Sequence, residues 1–123
     1  MIMNKAVLTG TVINDLEVKE TPNKKVYCKL RIEVPRDKLS KNGKQLNDYF
    51  TVIAWGAYVD ELQENTAKGH KIMVEGRIQS RSYEDANTKE KRYVTEIIAE
   101  GFDYFKELNS SFISSVDDDD IPF

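Results

Sequence analysis

One cysteine and one histidine occur in the 123 residues. Cys28 alone excludes an internal disulfide framework. Together with His70 it is too little for a His and Cys metal cluster, and it argues against a cysteine–histidine catalytic pair. No glycine-rich loop is built to cradle a phosphate, and no serine sits in a nucleophile-elbow pattern. No apolar stretch is long enough for a membrane span or a signal-peptide core. These absences predict a cytoplasmic chain without enzymatic activity, metal or cofactor. Cys28 shares even spacing with Val26, Leu30 and Ile32, which reads as a buried, inert thiol. His70, just after Gly69, reads as a solvated turn residue.

Strong charge of one sign is missing as well. The formal net charge is −3, but four of the 21 acidic residues are Asp117 to Asp120. The chain before them carries 18 Lys and Arg against 17 Asp and Glu, a body near +1. Binding of a polyanion by charge alone is not expected of such a body, whereas a local basic stripe combined with stacking is.

What is present is strand alternation. Lys5 to Ile13 reads as a first strand with Ala6, Leu8, Gly10 and Val12 on one face and Val7 and Ile13 on the other. Apolar residues on both faces predict a cover for each, and Gly10 marks a bend of the kind a small closed barrel needs. Leu16 to Val18 could extend a strand edge. Val26 to Val34 is the most regular strand, with Val26, Cys28, Leu30, Ile32 and Val34 inward. Pro35 is expected to end it, leaving Arg36 to Asn47 as a basic hairpin loop. Tyr49 to Trp55 follows with Phe50, Val52 and Ala54 on one face. A short helix over Gly56 to Lys68 has its apolar stripe at Val59, Leu62 and Thr66 or Ala67, and Lys68-Gly69 supplies a cationic last turn and a stop. Lys71 to Tyr83 turns Ile72, Val74, Gly76 and Ile78 inward, and Arg92 to Phe102 is the last strand. The expectation is an all-β barrel of five strands with one short helix between strands 3 and 4. At this length one domain is predicted over residues 1–106, followed by a linker and tail over 107–123.

The outward faces interleave aromatic and basic side chains. Tyr27, Lys29 and Arg31 share one strand, and Tyr49, Thr51 and Trp55 the next. Met73, Arg77, Arg81 and Tyr83 share a third. Base stacking on an aromatic ring tolerates any base, while cations follow a phosphate backbone, so this array points to a single nucleic-acid strand held without being read. From about Leu108 the chain turns serine-rich and then acidic, a composition that predicts disorder. Its tip, Ile121-Pro122-Phe123, follows Asp117, Asp118, Asp119 and Asp120 and sets an aromatic ring beside the terminal carboxylate. That ending suits recognition as a short peptide by a partner with an apolar pocket and a basic rim.

Five stretches, Asn4 to Gly10, Asp48 to Gly56, Lys68-Gly69, Val74 to Ile78 and Tyr93 to Glu96, resemble the bacterial single-stranded DNA-binding proteins. The match runs in register over roughly residues 3–105, and Asp117 to Phe123 is similar to that family's tail peptide. The resemblance begins at Met3, an alternative start to Met1. It implies a five-stranded OB-fold barrel, usually a homotetramer, that protects single-stranded DNA in replication, recombination and repair. It also implies that the tail tip, Asp117 to Phe123, binds DNA-processing proteins. By position, Tyr49, Trp55 and Tyr83 stand where the family places stacking aromatics. Pro35 replaces a further stacking Trp found in many members, which leaves Arg36 and Lys38 as phosphate contacts. Lys5, in the first of these stretches, completes the candidate set. Preference for DNA rests on the resemblance, since no residue is suited to reading a 2′-hydroxyl. A protein-interaction barrel and an RNA-binding OB domain are the alternatives.

Overall fold

The computed structural model describes residues 1–105; the linker and acidic tail expected over 107–123 lie outside them. In chain order the elements are β1 (Ala6–Val12), β2 (Glu17–Glu20), β3 (Val26–Leu39), β4 (Gln45–Trp55), α1 (Ala57–Asn65), β5 (Lys71–Glu84) and β6 (Lys91–Tyr104). The sheet order is β1-β5-β6-β4-β3-β2, and an additional β1–β3 pairing closes five of the strands into a barrel. All neighbours are antiparallel except β4 and β6, which meet in parallel at Val52↔Ile97 and Ile53↔Ile98. The sixth strand, β2, is fully exposed and pairs only with β3. It is the strand edge that Leu16 to Val18 suggested.

The inward residues of the alternation form the core: Val12, Cys28, Leu30, Ile32, Val52 and Ala54 are buried together with Ile72, Val74 and Ile97. Val59 and Leu62 of α1 cap one end. Burying an aliphatic side chain of this size contributes about 1.5–3 kcal/mol before entropy is counted.

The strand that closes the ring is short. β1 pairs with β5 from Ala6↔Gly76 to Thr11↔Lys71 and with β3 at Thr11↔Glu33 and Val12↔Ile32. An asparagine at each end extends it. The Asn4 side chain donates to the Ile78 carbonyl at 2.7 Å and accepts from the Ile78 N–H at 2.8 Å. The Asn14 side chain donates to the Lys29 carbonyl at 3.1 Å and accepts from the Arg31 N–H at 2.7 Å. Each amide satisfies backbone groups that a further strand residue would otherwise meet.

Five details differ from the sequence expectation. Pro35 does not end its strand. β3 runs on to Leu39, opposite β4, with a register shift between Pro35 and Leu39. Here β3 has left the barrel body and has one neighbour, so a missing N–H is tolerated. Arg36 braces this arm by a bidentate pair with Asp48, at 2.7–3.1 Å. The helix stops at Asn65, because Thr66 turns extended and gives its N–H to the Leu62 carbonyl. Lys68 is therefore outside the last turn, while Gly69, at φ 92°, donates to the Val12 carbonyl. Val26, expected inward at the start of β3, is 37% exposed. Finally Ile78, expected inward, is 47% exposed, since β5 beyond Gly76 projects with β6 as a second arm.

A bulge starts that arm. Glu75 pairs with Gly101 but Gly76 with Ala99, so Glu100 is unpaired and its carbonyl accepts the Tyr58 hydroxyl. A Cβ at Gly76 would press on the Ile98 carbonyl oxygen and lie 3.0 Å from its carbon, whereas one at Gly101 would meet only the Glu75 carboxylate at 3.8 Å. Gly76→Ala should therefore lower stability by about 1–3 kcal/mol in urea unfolding, with Gly101→Ala much milder. Equal effects would show that the bulge is not the tight point.

Candidate nucleic-acid interface

Because side chains alternate, the core residues of β3, β4, β5 and β6 leave an outer set on the opposite face. The register arranges that set in rows across the barrel. Tyr27 stands opposite Trp55, and Lys29 opposite Ile53; Ile53 is matched with Ile98, and Ile98 with Arg77. The second row thus reads cation, isoleucine, isoleucine, cation. Ile53 is only 6% exposed although it lies on the outer face, because the barrel is curved into a groove there. The groove has a volume of about 540 Å³, and Thr21, Gln79, Arg81 and Glu96 complete its lining.

At its upper edge Tyr27 and Trp55 are in contact, ring centroids 5.1 Å apart and planes at 38°. They form a ready-made platform, with Trp55 still 38% exposed. Farther along β3 and β4 the Arg31 guanidinium lies 5.5 Å from the centre of the Tyr49 ring, and Thr51 is opposite Arg31. The Glu33 carboxylate, paired opposite Tyr49 in the register, pushes the phenol's pKa above the usual value, first by offering an acceptor to the phenol proton and then by its charge; partial desolvation acts in the same direction. Tyr49 remains 47% exposed.

Arg81 and Glu96 form the groove's most constrained contact. Glu96 is 2% exposed, and a buried carboxylate requires a partner. Arg81 Nε donates to Glu96 Oε1 at 2.7 Å and its Nη2 to Oε2 at 3.3 Å. This bond, more than the pairing of charge, raises the Arg81 pKa. The guanidinium is thereby fixed over the groove with its charge already matched.

The groove brings together Tyr27, Lys29, Trp55, Arg77 and Arg81. Tyr83 lies out on the β5–β6 arm in a separate hollow of about 290 Å³ with Lys89 and Lys91. Arg36 is held by Asp48 on the other arm, where Lys38 also lies. Lys5 pairs with Glu75 at 3.1 Å, and the half-buried Met73 lies on β5 between Thr9 and Asp103; neither lines the groove. Ile53, Ile98 and Glu96 escaped the sequence reading. An isoleucine on the polar face of an alternating strand, and a doubled Ile97-Ile98, were the available signals.

The family-model comparison matches residues 3–105 to the single-strand binding protein family. The chain belongs to that family. Among its relatives, the single-stranded DNA-binding protein 2 of Clostridium acetobutylicum is 36% identical over 116 residues, covering 94% of this chain and 86% of that one. The Streptococcus pneumoniae single-stranded DNA-binding protein is 36% identical over 101 residues, covering 82% of this chain and 64% of its own length. Among solved structures, a Plasmodium falciparum SSB complex with ssDNA superposes with a TM-score of 0.71 at 18% identity, covering 86% of this chain and 97% of that one. At that identity the superposition establishes the OB-type barrel fold. No helix among the described residues is long and apolar enough to cross a membrane.

The ion-pair geometry separates the cations of this family member by role. Lys29→Ala or Arg77→Ala should each flatten the salt dependence of oligonucleotide binding by about 0.7 in log–log slope, the value for one phosphate contact on a single strand. Arg81→Ala combined with Glu96→Gln, which removes the pair without leaving an unpaired carboxylate, should change that slope little. Glu96→Gln alone should steepen it and tighten low-salt binding by freeing the Arg81 charge. A slope change for the Arg81→Ala, Glu96→Gln double variant as large as that for Lys29→Ala would contradict the assignment.

Proposed function

We propose that the chain binds single-stranded DNA without regard to sequence, through the groove between β3, β4, β5 and β6, and protects it during replication, recombination and repair. The observation that carries this reading is the pair of rows in that groove. An aromatic platform lies beside two isoleucines flanked by Lys29 and Arg77, so that bases meet apolar and π surface while phosphates meet cations. Nothing in the lining is arranged to select one base, as every base offers a π face. Preference for DNA over RNA is supported by the names of the relatives.

Two further parts of the reading have separate support. Val7 on β1 and Tyr93 on β6 are 56% and 70% exposed, and Ile78 is also uncovered, which favours pairing with further copies of the chain. A homotetramer is the assembly implied by the family resemblance, and a monomeric mass by light scattering at micromolar concentration would overturn self-association. The tail tip, Asp117 to Phe123, is proposed to recruit DNA-processing proteins. Deleting Ile121 to Phe123 should abolish such binding while leaving oligo-dT affinity nearly unchanged; pull-downs that survive the deletion would refute it.

The direct test of DNA binding is titration with oligo-dT at several salt concentrations, read by quenching of Trp55, the single tryptophan. Steep salt dependence is expected. Trp55→Ala and Tyr49→Ala, read by anisotropy of a dye-labelled oligo-dT because the first removes the only tryptophan, should each weaken binding by about 1–3 kcal/mol at fixed salt with little effect on the slope. Absence of quenching at low salt, or stronger binding to matched ribo-oligomers, would overturn the reading.

A further inference from the structure

Trp55 stands between two concavities. Beyond the groove, a cavity of about 550 Å³ is lined by Lys24, Lys25, Val26, Trp55, Gly56 and Asp60. The turn between β2 and β3 divides the two: Thr21 lines the groove, and Lys24 and Lys25 line the cavity. That turn is tied at three points. Thr21 donates its N–H to the Lys25 carbonyl at 2.8 Å, Lys24 returns one to the Thr21 carbonyl at 2.8 Å, and the Lys25 N–H reaches the Thr21 hydroxyl at 3.1 Å. Lys24 adopts the left-handed conformation, φ 62°, to close it. Both lysines are thus presented from a fixed backbone, and among the described residues neither is in an ion pair.

We propose that this cavity is a further nucleotide subsite, continuing the path of the strand past Trp55. The inference rests on the groove being the path of a single nucleic-acid strand. Tyr27 lines the groove but not the cavity, so Trp55 offers the cavity a surface that its ring partner does not occupy. A base lies against that surface, and its phosphate meets Lys24 and Lys25. Asp60 decides between a bare phosphate site and a nucleotide site. A carboxylate opposes an anion, yet it accepts a hydrogen bond from an exocyclic amino group, which cytosine, adenine and guanine carry and thymine lacks. Two cations and one carboxylate around an indole match both ends of such a nucleotide. The subsite therefore gives a base preference to a protein whose groove has none.

The test is a length series of oligo-dT and oligo-dC bound to the full chain and to two variants at fixed salt. Lys24→Asn with Lys25→Gln removes both charges while keeping a residue that tolerates the left-handed turn. Short oligomers that only fill the groove should bind this variant as they bind the wild type. Longer ones should lose about three- to tenfold, one tenfold step corresponding to about 1.4 kcal/mol. Asp60→Asn should remove a preference for oligo-dC over oligo-dT that appears only in the longer oligomers. If thermal unfolding shows the double variant to be damaged, Lys25→Gln alone serves, with a smaller loss of the same length dependence. An equal loss at every length, no loss at any length, or no dC preference in the wild type would overturn the subsite. Failure of the wild type to bind even short oligomers would overturn the groove reading, and the subsite with it.

Discussion

Closure of the barrel by β1 is the constraint on which the rest depends. A seven-residue strand pairs with β5 along most of its length and with β3 only at its end, and the join is possible because Gly10 has no side chain. A Cβ there would come within 2.6 Å of Ile32 Cγ2 and closer still to the Glu33 carbonyl oxygen. Close approach at this corner sets the curvature of β3, β4, β5 and β6. That curvature, in turn, buries Ile53 and brings Tyr27, Lys29 and Arg77 around one concavity. The inner and outer faces of these strands are therefore not independent: packing of Leu30, Val52 and Ile97 within fixes the spacing of the rows without.

The outer surface solves a problem posed by a body of almost no net charge. Long-range attraction of a polyanion is weak at about +1, so affinity has to come from short-range contacts that are already in place. Tyr27 against Trp55, Arg31 beside Tyr49 and Arg81 on Glu96 are all assembled before any ligand arrives. The burial of Glu96 is the informative member. In the proposed site for an anionic strand a carboxylate costs attraction, and its return is a guanidinium whose plane and position are held by two hydrogen bonds. On the proposed binding mode, Arg81 acts through its flat face and the phosphate contacts fall to Lys29 and Arg77.

Much of this was legible in the residues. The two-residue period of Cys28 to Ile32 and Lys71 to Gly76 identified the core face, and the interleaved aromatics and cations identified the other. Gly10 signalled the barrel corner. What could not be read was how far strands continue once they leave the body. Pro35 looks like a terminator because the cost of its missing donor depends on whether a second neighbour exists, and that is a tertiary fact. Ile78 looks inward because alternation persists after the barrel has ended. Asn4 and Asn14 resemble ordinary polar flanks, and only the fold shows them completing the pairing of β1. Ile53 and Ile98 became floor residues through a parallel match between strands separated by α1 and β5, which no local pattern contains.

In the proposed complex a single strand lies in the groove across Tyr27, Trp55, Ile53 and Ile98, between Lys29 and Arg77. Photo-crosslinking of the full chain to an oligo-dT carrying 5-iodo-deoxyuridine, followed by peptide mapping, tests this directly. Adducts are expected at Trp55 and Tyr27, accompanied by Tyr49, and none at Tyr93, which lies on the opposite face of the β5–β6 arm. Adducts confined to Tyr93 or to the aromatic cluster of Tyr58, Phe102 and Tyr104 would place the strand elsewhere and contradict it.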